Sequence, residues 1–275
     1  DREGRVTRRY YDALRRLTAT RDPLGRVVAQ EWCTCGSMDA LIDANGNRTR
    51  WERDLQGRVN REVRADNVTD TLYTYGARTG RLLAVTDPKD QVTTYTYAAD
   101  GQTSSTVFTN AAIVTPSVNL AYDAAYGRVA TMQDGAGTTT YTYHPVGVPG
   151  AGQVARVDGP LANDLITYEY DELGRVTARA INGSANTVTW AFDALGRVTS
   201  EENVLGTFTY TYDGGTSRIA TVAYPNNQTS TYTYFTATDD HRLQTIHHKY
   251  PSGATMSKFD YTYDAIGNIL TWRQQ

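Results

Sequence analysis

The stretch Thr167–Ala180, TYEYDELGRVTARA, decides the fold, because variants of it recur along the whole chain and a repeat must be settled before any residue is given a role. Tyr168 and Tyr170 lie two apart, so on a strand both rings leave one face while Thr167 and Glu169 leave the other. Asp171, Glu172, Leu173 and Gly174 then place Asp first and Gly fourth in a type I turn, with Gly free to take positive φ as a bulge. Arg175, Val176 and Thr177 resume a run whose β-branched members suit a pleated surface. One unit is a strand, a reversal and the start of the next strand.

Related turns lie to either side. Asp12–Arg15, Asp22–Gly25, Asp43–Gly46, Asp54–Gly57, Asp123–Gly127, Asp193–Gly196 and Asp264–Gly267 share the pattern, and Asp1–Gly4 opens the chain on it. Pro23 occupies the second turn position that a type I turn favours. Arg15 stands where Gly is expected, which leaves the positive φ of that one turn open, and Asp123–Gly127 carries one extra residue. A second kind of turn leads into Thr-rich strands: Asp87–Asp90 before Tyr95 and Tyr97, Asp134–Gly137 before Tyr141 and Tyr143, Asn203–Gly206 before Tyr210 and Tyr212, and Pro225–Gln228 before Tyr232 and Tyr234. Turns are about ten residues apart and hairpins about 21, a period in the range of repeat architectures.

The pattern predicts an all-β chain, a long antiparallel meander of short β-hairpins with almost no helix, over 1–275 as a single repeat segment of a larger protein. Longer loops or insertions are expected near 101–120, 144–166 and 224–256, because the repeat resumes after each. About twenty strands at ~4.8 Å spacing exceed what a twisted open sheet sustains, so the meander is expected to coil into a spiral or tube. Tyr-x-Tyr pairs at matching heights on neighbouring hairpins predict aromatic ladders.

Composition agrees. The chain holds 20 Tyr against 5 Phe, which favours strands over helices. A net charge of −3 lacks the concentrated basic surface that nucleic acid demands. No apolar run approaches the ~18 residues of a membrane span, and DREGRV at the start resembles neither an initiator Met nor a signal peptide, as expected of an excised segment. Cys33 and Cys35 would leave one face of a strand. A bond between them would close a small, strained ring, so they are read as two unbonded, semi-buried side chains in a variant strand. His247 and His248 fall on opposite strand faces and chelate no single metal well, so both are read as polar side chains at the surface.

The motif Tyr-Asp-x-x-Gly-Arg-Leu/Val, present as YDELGRV, FDALGRV and YDAIGNI, resembles the YD repeat of the RHS family, which includes bacterial Rhs polymorphic toxins, wall-associated proteins, the B and C components of insecticidal toxin complexes, and teneurins. The resemblance covers essentially the whole chain. It implies a β-spiral shell around a large cavity, holding a toxic polypeptide in the toxin members. The Asp-Pro-x-Gly-Leu type motif near an aspartyl cleavage site in many bacterial members has no match, since Asp22-Pro23 and Asp87-Pro88 read as ordinary turns. Neither self-cleavage nor a toxin is carried over.

A catalytic carboxylate should be singular, whereas Asp123, Asp171, Asp193 and Asp264 all hold one repeated turn position where a carboxylate accepts local backbone N–H bonds. Arg58, Arg128, Arg175 and Arg197 recur after Gly, where stacking on a neighbouring Tyr or pairing with a turn Asp is expected. Tyr168, Tyr170, Asp171, Gly174, Arg175, Asp193, Gly196, Arg197, Asp264 and Gly267 are therefore assigned as a structural repeat motif, with no catalytic, cofactor or metal residue. The expected function is non-enzymatic: part of a shell of an exported or bacterial cell-surface protein, with an enclosed polypeptide cargo. The alternative is an adhesion module whose exposed Tyr and Trp51, Trp190 or Trp272 bind a cell-surface glycan or protein.

Overall fold

The Asp171–Gly174 segment closes as its residue types require. In the computed structural model, which describes residues 4–66 and 68–275, the Gly174 N–H donates to the Asp171 carbonyl and the Asp171 N–H to the Arg175 carbonyl, both at 3.0 Å. Gly174 has φ 76, the left-handed value that a glycine reaches without Cβ strain. At the first hairpin the same closure holds with Arg15 at φ 62, so the turn bonds override the side-chain preference there. Of the opening turn read at Asp1–Gly4, only Gly4 falls among the described residues.

Twelve strands make the first of two compact units, which runs to Ala136. They are β1 (Arg8–Tyr11), β2 (Leu17–Arg21), β3 (Val27–Trp32), β4 (Met38–Ile42), β5 (Arg48–Arg53) and β6 (Val59–Val63). β7 (Asp70–Tyr75), β8 (Leu82–Thr86), β9 (Val92–Tyr97), β10 (Thr103–Thr109), β11 (Val118–Tyr122) and β12 (Val129–Gln133) complete it. The second unit, from Gly137 to Gln275, starts with β13 (Thr138–Tyr143), β14 (Val154–Asp158), β15 (Ile166–Tyr170), β16 (Val176–Ile181), β17 (Thr187–Phe192) and β18 (Val198–Asn203). It continues with β19 (Gly206–Tyr212), β20 (Ile219–Ala223), β21 (Thr229–Tyr234), β22 (Leu243–Lys249), β23 (Thr255–Tyr263) and β24 (Ile269–Gln274).

Within each unit every strand pairs antiparallel with its chain neighbours, which is the meander that the alternating turns predict. The only helical turns among the described residues are 3-10 segments at Ser184–Asn186 and Ala237–Asp239. No described helix is long and apolar enough to cross a membrane. Regular strands run through all three stretches read as insertions. The extra residues lie in connections at 110–117, 144–153, 159–165 and 235–242.

The sheet in each unit has two unlike faces. Along β19, Phe208, Tyr210 and Tyr212 are half-buried, whereas Thr207, Thr209 and Thr211 on the opposite face are exposed. Few side chains are fully buried among the described residues: Ala40 and Val63 in the first unit, Val222 and Ser230 in the second. Cohesion therefore cannot come from a thick apolar core and must come from the ladders and from contacts between adjacent hairpins.

One irregularity recurs at the edge that bears the Tyr-Asp turns. Tyr170 opposes Val176 while Glu169 opposes Ala178, so Thr177 is an extra residue in its strand. Thr18, Asn60, Thr199, Ala220 and Leu270 are extra in the same way. A bulge sharpens the local right-handed twist and re-aims the side chains beside it. Each hairpin is thus bent at the same end, next to its turn.

The two cysteines overturn the sequence reading. Cys33 and Cys35 are disulfide-bonded, with their Cα atoms 5.1 Å apart. They do not lie on a strand. Cys33 starts a turn in which the Gly36 N–H donates to its carbonyl at 3.1 Å, and that reversal brings the first and third positions within bonding reach.

Candidate functional site

Each turn Asp is a small clamp. Asp171 accepts from the backbone N–H of Leu173 at 3.0 Å and of Arg175 at 2.9 Å with one oxygen, and from Arg175 Nε at 2.6 Å with the other. Asp193 does the same with Leu195 and Arg197, at 2.9 Å for both backbone N–H groups and 2.7 Å for Nε. At Asp264 the partner is Asn268, whose Nδ2 donates at 2.8 Å. Asp12, Asp22 and Asp54 hold Arg16, Arg26 and Arg58 alike.

These bonds favour the charged carboxylate. The Arg197 backbone N–H and then its guanidinium hold Asp193 below the usual carboxylate range, against an opposing push from burial. At Asp54 the Arg58 guanidinium leads, and Asp43 and Asp12 move the same way. Asp66 moves furthest, from 3.8 to about 2, under the Thr69 hydroxyl followed by the backbone N–H groups of Thr69 and Val68. A carboxylate whose folded pKa is lowered stabilises the fold above its unfolded pKa and loses that contribution as pH falls toward the folded value. The melting temperature is therefore expected to hold down to about pH 4 and to fall progressively toward pH 2, as thermal unfolding by circular dichroism would follow. A flat profile across that window, or one unchanged by Asp66→Asn, would remove these clamps from the stability of the fold.

The arginine also reaches forward. Arg197 lies over the ring of Tyr212, with its guanidinium carbon 4.4 Å from the centroid, and Nη1 donates to the carbonyl of Gly214 at 2.8 Å in the next turn. Arg175 lies over Phe192 at 4.4 Å and Arg58 over Tyr75 at 4.5 Å. Arg16 covers Trp32, Arg81 Tyr97, Arg218 Tyr234 and Arg242 Tyr263 at 5.3 to 5.7 Å. Across these hairpins the expected ring-on-ring ladder is instead arginine on aromatic, because the long side chain spans the gap between the tips of adjacent hairpins.

A reciprocal bond runs backward. The Tyr212 hydroxyl donates to the carbonyl of Val198 at 2.7 Å, Tyr170 to Val154 at 2.9 Å, Tyr75 to Val59 at 2.8 Å, and Trp32 Nε1 to Leu17 at 2.8 Å. The bulge at the start of each even strand lies beside that carbonyl. Where Gln follows the turn Gly, at Gln102 and Gln153, its amide donates to the carbonyl of the next turn's Gly127 and Gly174 at 2.6 and 3.1 Å. The Asp, Gly, Arg and second Tyr of the sequence motif thus belong to one strap that ties each hairpin to the next.

The strap brings assigned residues together within a module and between adjacent modules, without gathering them into one cluster. Gly196 lies against the Arg175 guanidinium, and Gly267 against that of Arg242, whose Nη1 donates to the Asp264 carbonyl at 2.6 Å. Tyr168 lends its backbone carbonyl to His144 Nε2 at 2.9 Å. Asp171, Asp193 and Asp264 line one edge as separate clamps, and no group of three or more His, Cys, Asp or Glu that could hold a metal is present among the described residues.

One cluster escaped the sequence reading. Ser230 Oγ lies 2.7 Å from His248 Nδ1 and 3.1 Å from the Tyr224 hydroxyl. Ser230 is 1% exposed, so this serine and histidine bond each other beneath the sheet surface. The His-His pair does split between opposite faces, with His247 Nε2 meeting Thr255 Oγ1 at 2.9 Å. Nothing local in the sequence joins Ser230 to His248; the β21–β22 register does so.

No family model matches the chain, and no curated protein does. Solved toxin complexes match its fold. A TcdB2–TccC3–Cdc42 structure aligns over 100% of the chain with a TM-score of 0.62 at 15% identity. A TcdB2–TccC3–TEV structure gives 0.61 at 16%, and a Photorhabdus luminescens Tc holotoxin pore 0.60 at 15%. The chain spans 18% of the length of each of these solved chains. At this identity the likeness is one of fold, and it extends over all 24 strands.

Proposed function

We propose that this chain is a stretch of wall in an RHS/YD-repeat shell: a non-enzymatic scaffold in a larger exported or cell-surface protein that shelters a polypeptide cargo. The observation that carries the reading is the strap. The residues that could have served chemistry are spent on holding hairpin to hairpin: Asp on its own turn, Arg on the next aromatic ring, and Tyr hydroxyl on the previous strand. A fold shared end to end with part of toxin complexes supports the same role.

The adhesion alternative needs free aromatic edges. Tyr75, Tyr97, Tyr122, Tyr170, Tyr212 and Tyr234 donate their hydroxyls to backbone carbonyls, and Trp51 and Trp190 donate Nε1 to Glu62 and Glu201 at 3.3 and 3.1 Å, which leaves Tyr10, Tyr11, Tyr126, Tyr250 and Trp272 as the exposed rings among the described residues. That accounting favours the scaffold. Electron microscopy of the intact parent protein, with protease added before and after denaturation, tests it. A hollow body that protects an internal segment is expected; a solid body, or an internal segment cut as fast before denaturation as after, would overturn the shell.

A further inference from the structure

The Cys33 turn is the odd member of its series. At Asp12, Asp54, Asp171 and Asp193 a carboxylate holds the turn closed through an Arg four residues on, but here the two positions are Cys33 and Ser37. The backbone bonds persist, with the Cys33 N–H donating to the Ser37 carbonyl at 3.0 Å. The disulfide stands in place of the ionic clamp. It encloses one residue, so it removes little loop entropy from the unfolded chain and is held mainly by the turn that it closes. Cys35 is exposed and Cys33 half-buried, and exposed disulfides are the ones that exchange.

The surroundings select among thiols. A depression of about 540 Å³ is lined by both cysteines, Trp51, Arg48, Arg50, Arg53, Asp39 and Glu52. Arg48 pairs with Glu31 and Arg50 with Glu52, each at 2.6 Å. Arg53 donates to the carbonyl oxygens of Gly57 and Met38 rather than to a carboxylate. The Arg53 charge, bonded to carbonyls in a partly exposed cleft, stabilises a thiolate beside it and gathers anionic reactants.

We propose that Cys33–Cys35 is a thiol–disulfide exchange site for a small anionic thiol of the glutathione class, and that its reduction unclamps this one turn. The thiolate of the small thiol attacks Cys35 Sγ, the exposed sulfur. The S–S bond breaks, and its electron pair leaves on Cys33 Sγ, which takes a proton from solvent. A second small thiolate attacks the mixed disulfide, forms the oxidised small-thiol dimer and releases Cys35 as thiolate. Two thiols are oxidised and one protein disulfide is reduced.

The test treats the folded protein with millimolar reduced glutathione or with uncharged 2-mercaptoethanol at matched thiolate concentration, then quenches in acid, alkylates and reads the mass. Both cysteines are expected to alkylate while circular dichroism holds, about tenfold faster with glutathione than with the uncharged thiol at low salt. That advantage shrinks with added salt and in Arg53→Gln, and Cys33→Ser given oxidised glutathione instead forms a glutathione adduct on Cys35 by exchange, releasing one reduced glutathione. Two outcomes overturn the proposal: no alkylation of the folded protein after overnight exposure, or equal rates for the two thiols at every salt concentration.

Discussion

Gly150→Ala is expected to destabilise the second unit by about 3 kcal/mol, summing left-handed strain with the overpacking of a closed contact. Gly150 has φ 73, and a Cβ there would sit 2.5, 2.7 and 2.8 Å from Cδ2, Cγ and Cβ of Tyr170. Those atoms are the root of the side chain and cannot swing aside. The ring is already held on other sides, by its hydroxyl bond to the Val154 carbonyl and by the edge-on His144 ring at 5.4 Å. Gly57→Ala is the control, since Gly57 has φ 79 with open space where its Cβ would fall. It should lose only about 1 kcal/mol, the strain alone. Urea unfolding measures both, and equal losses would mean that the Gly150–Tyr170 contact adds nothing.

Arg197→Ala is the second large effect, about 2 kcal/mol from the lost ring contact and carbonyl bonds. Arg197 lies over Tyr212 and donates to the carbonyls of Gly214 and Thr216 in the next turn. Arg197→Lys should recover little, because an ammonium has no planar fork to lie flat on the ring and reach both carbonyls. A double-mutant cycle with Tyr212→Leu separates the ring contact from the carbonyl bonds, with an expected coupling of about 0.5–1 kcal/mol. Additive losses would reduce the strap to two independent side chains.

The strands and turns were legible because they depend on neighbours in sequence. Asp171 and Gly174 specify a reversal within four residues, and the alternation at Tyr168 and Tyr170 orients a strand without reference to the rest of the chain. The strap was legible only in half. Pairing of Arg175 with Asp171 follows from local spacing, but its seat over Phe192 depends on how far one hairpin tip stands from the next. The Tyr hydroxyl bonds were invisible for the same reason, since Val198 and Tyr212 meet through register and a bulged residue at Thr199. Cys33 and Cys35 were misread because a strand was assumed where the Gly36 turn stands. At Arg15 the sequence left the turn's left-handed position open, and five local bonds around Asp12 and Arg16 outweigh one unfavourable residue.

The strap reaches from one hairpin to the next and no further, which bears on how such chains change length. Where a hairpin carries both a forward-reaching arginine and a backward-reaching tyrosine, as Tyr170 with Arg175 and Tyr212 with Arg218, removing one whole unit leaves the arginine of the preceding hairpin facing the aromatic ring of the following one. Duplication works equally well. Genetic gains and losses in steps of a hairpin can therefore be absorbed without redesigning any contact, whereas a loss of half a hairpin would carry the turns to the wrong edge and strand both halves of the junction.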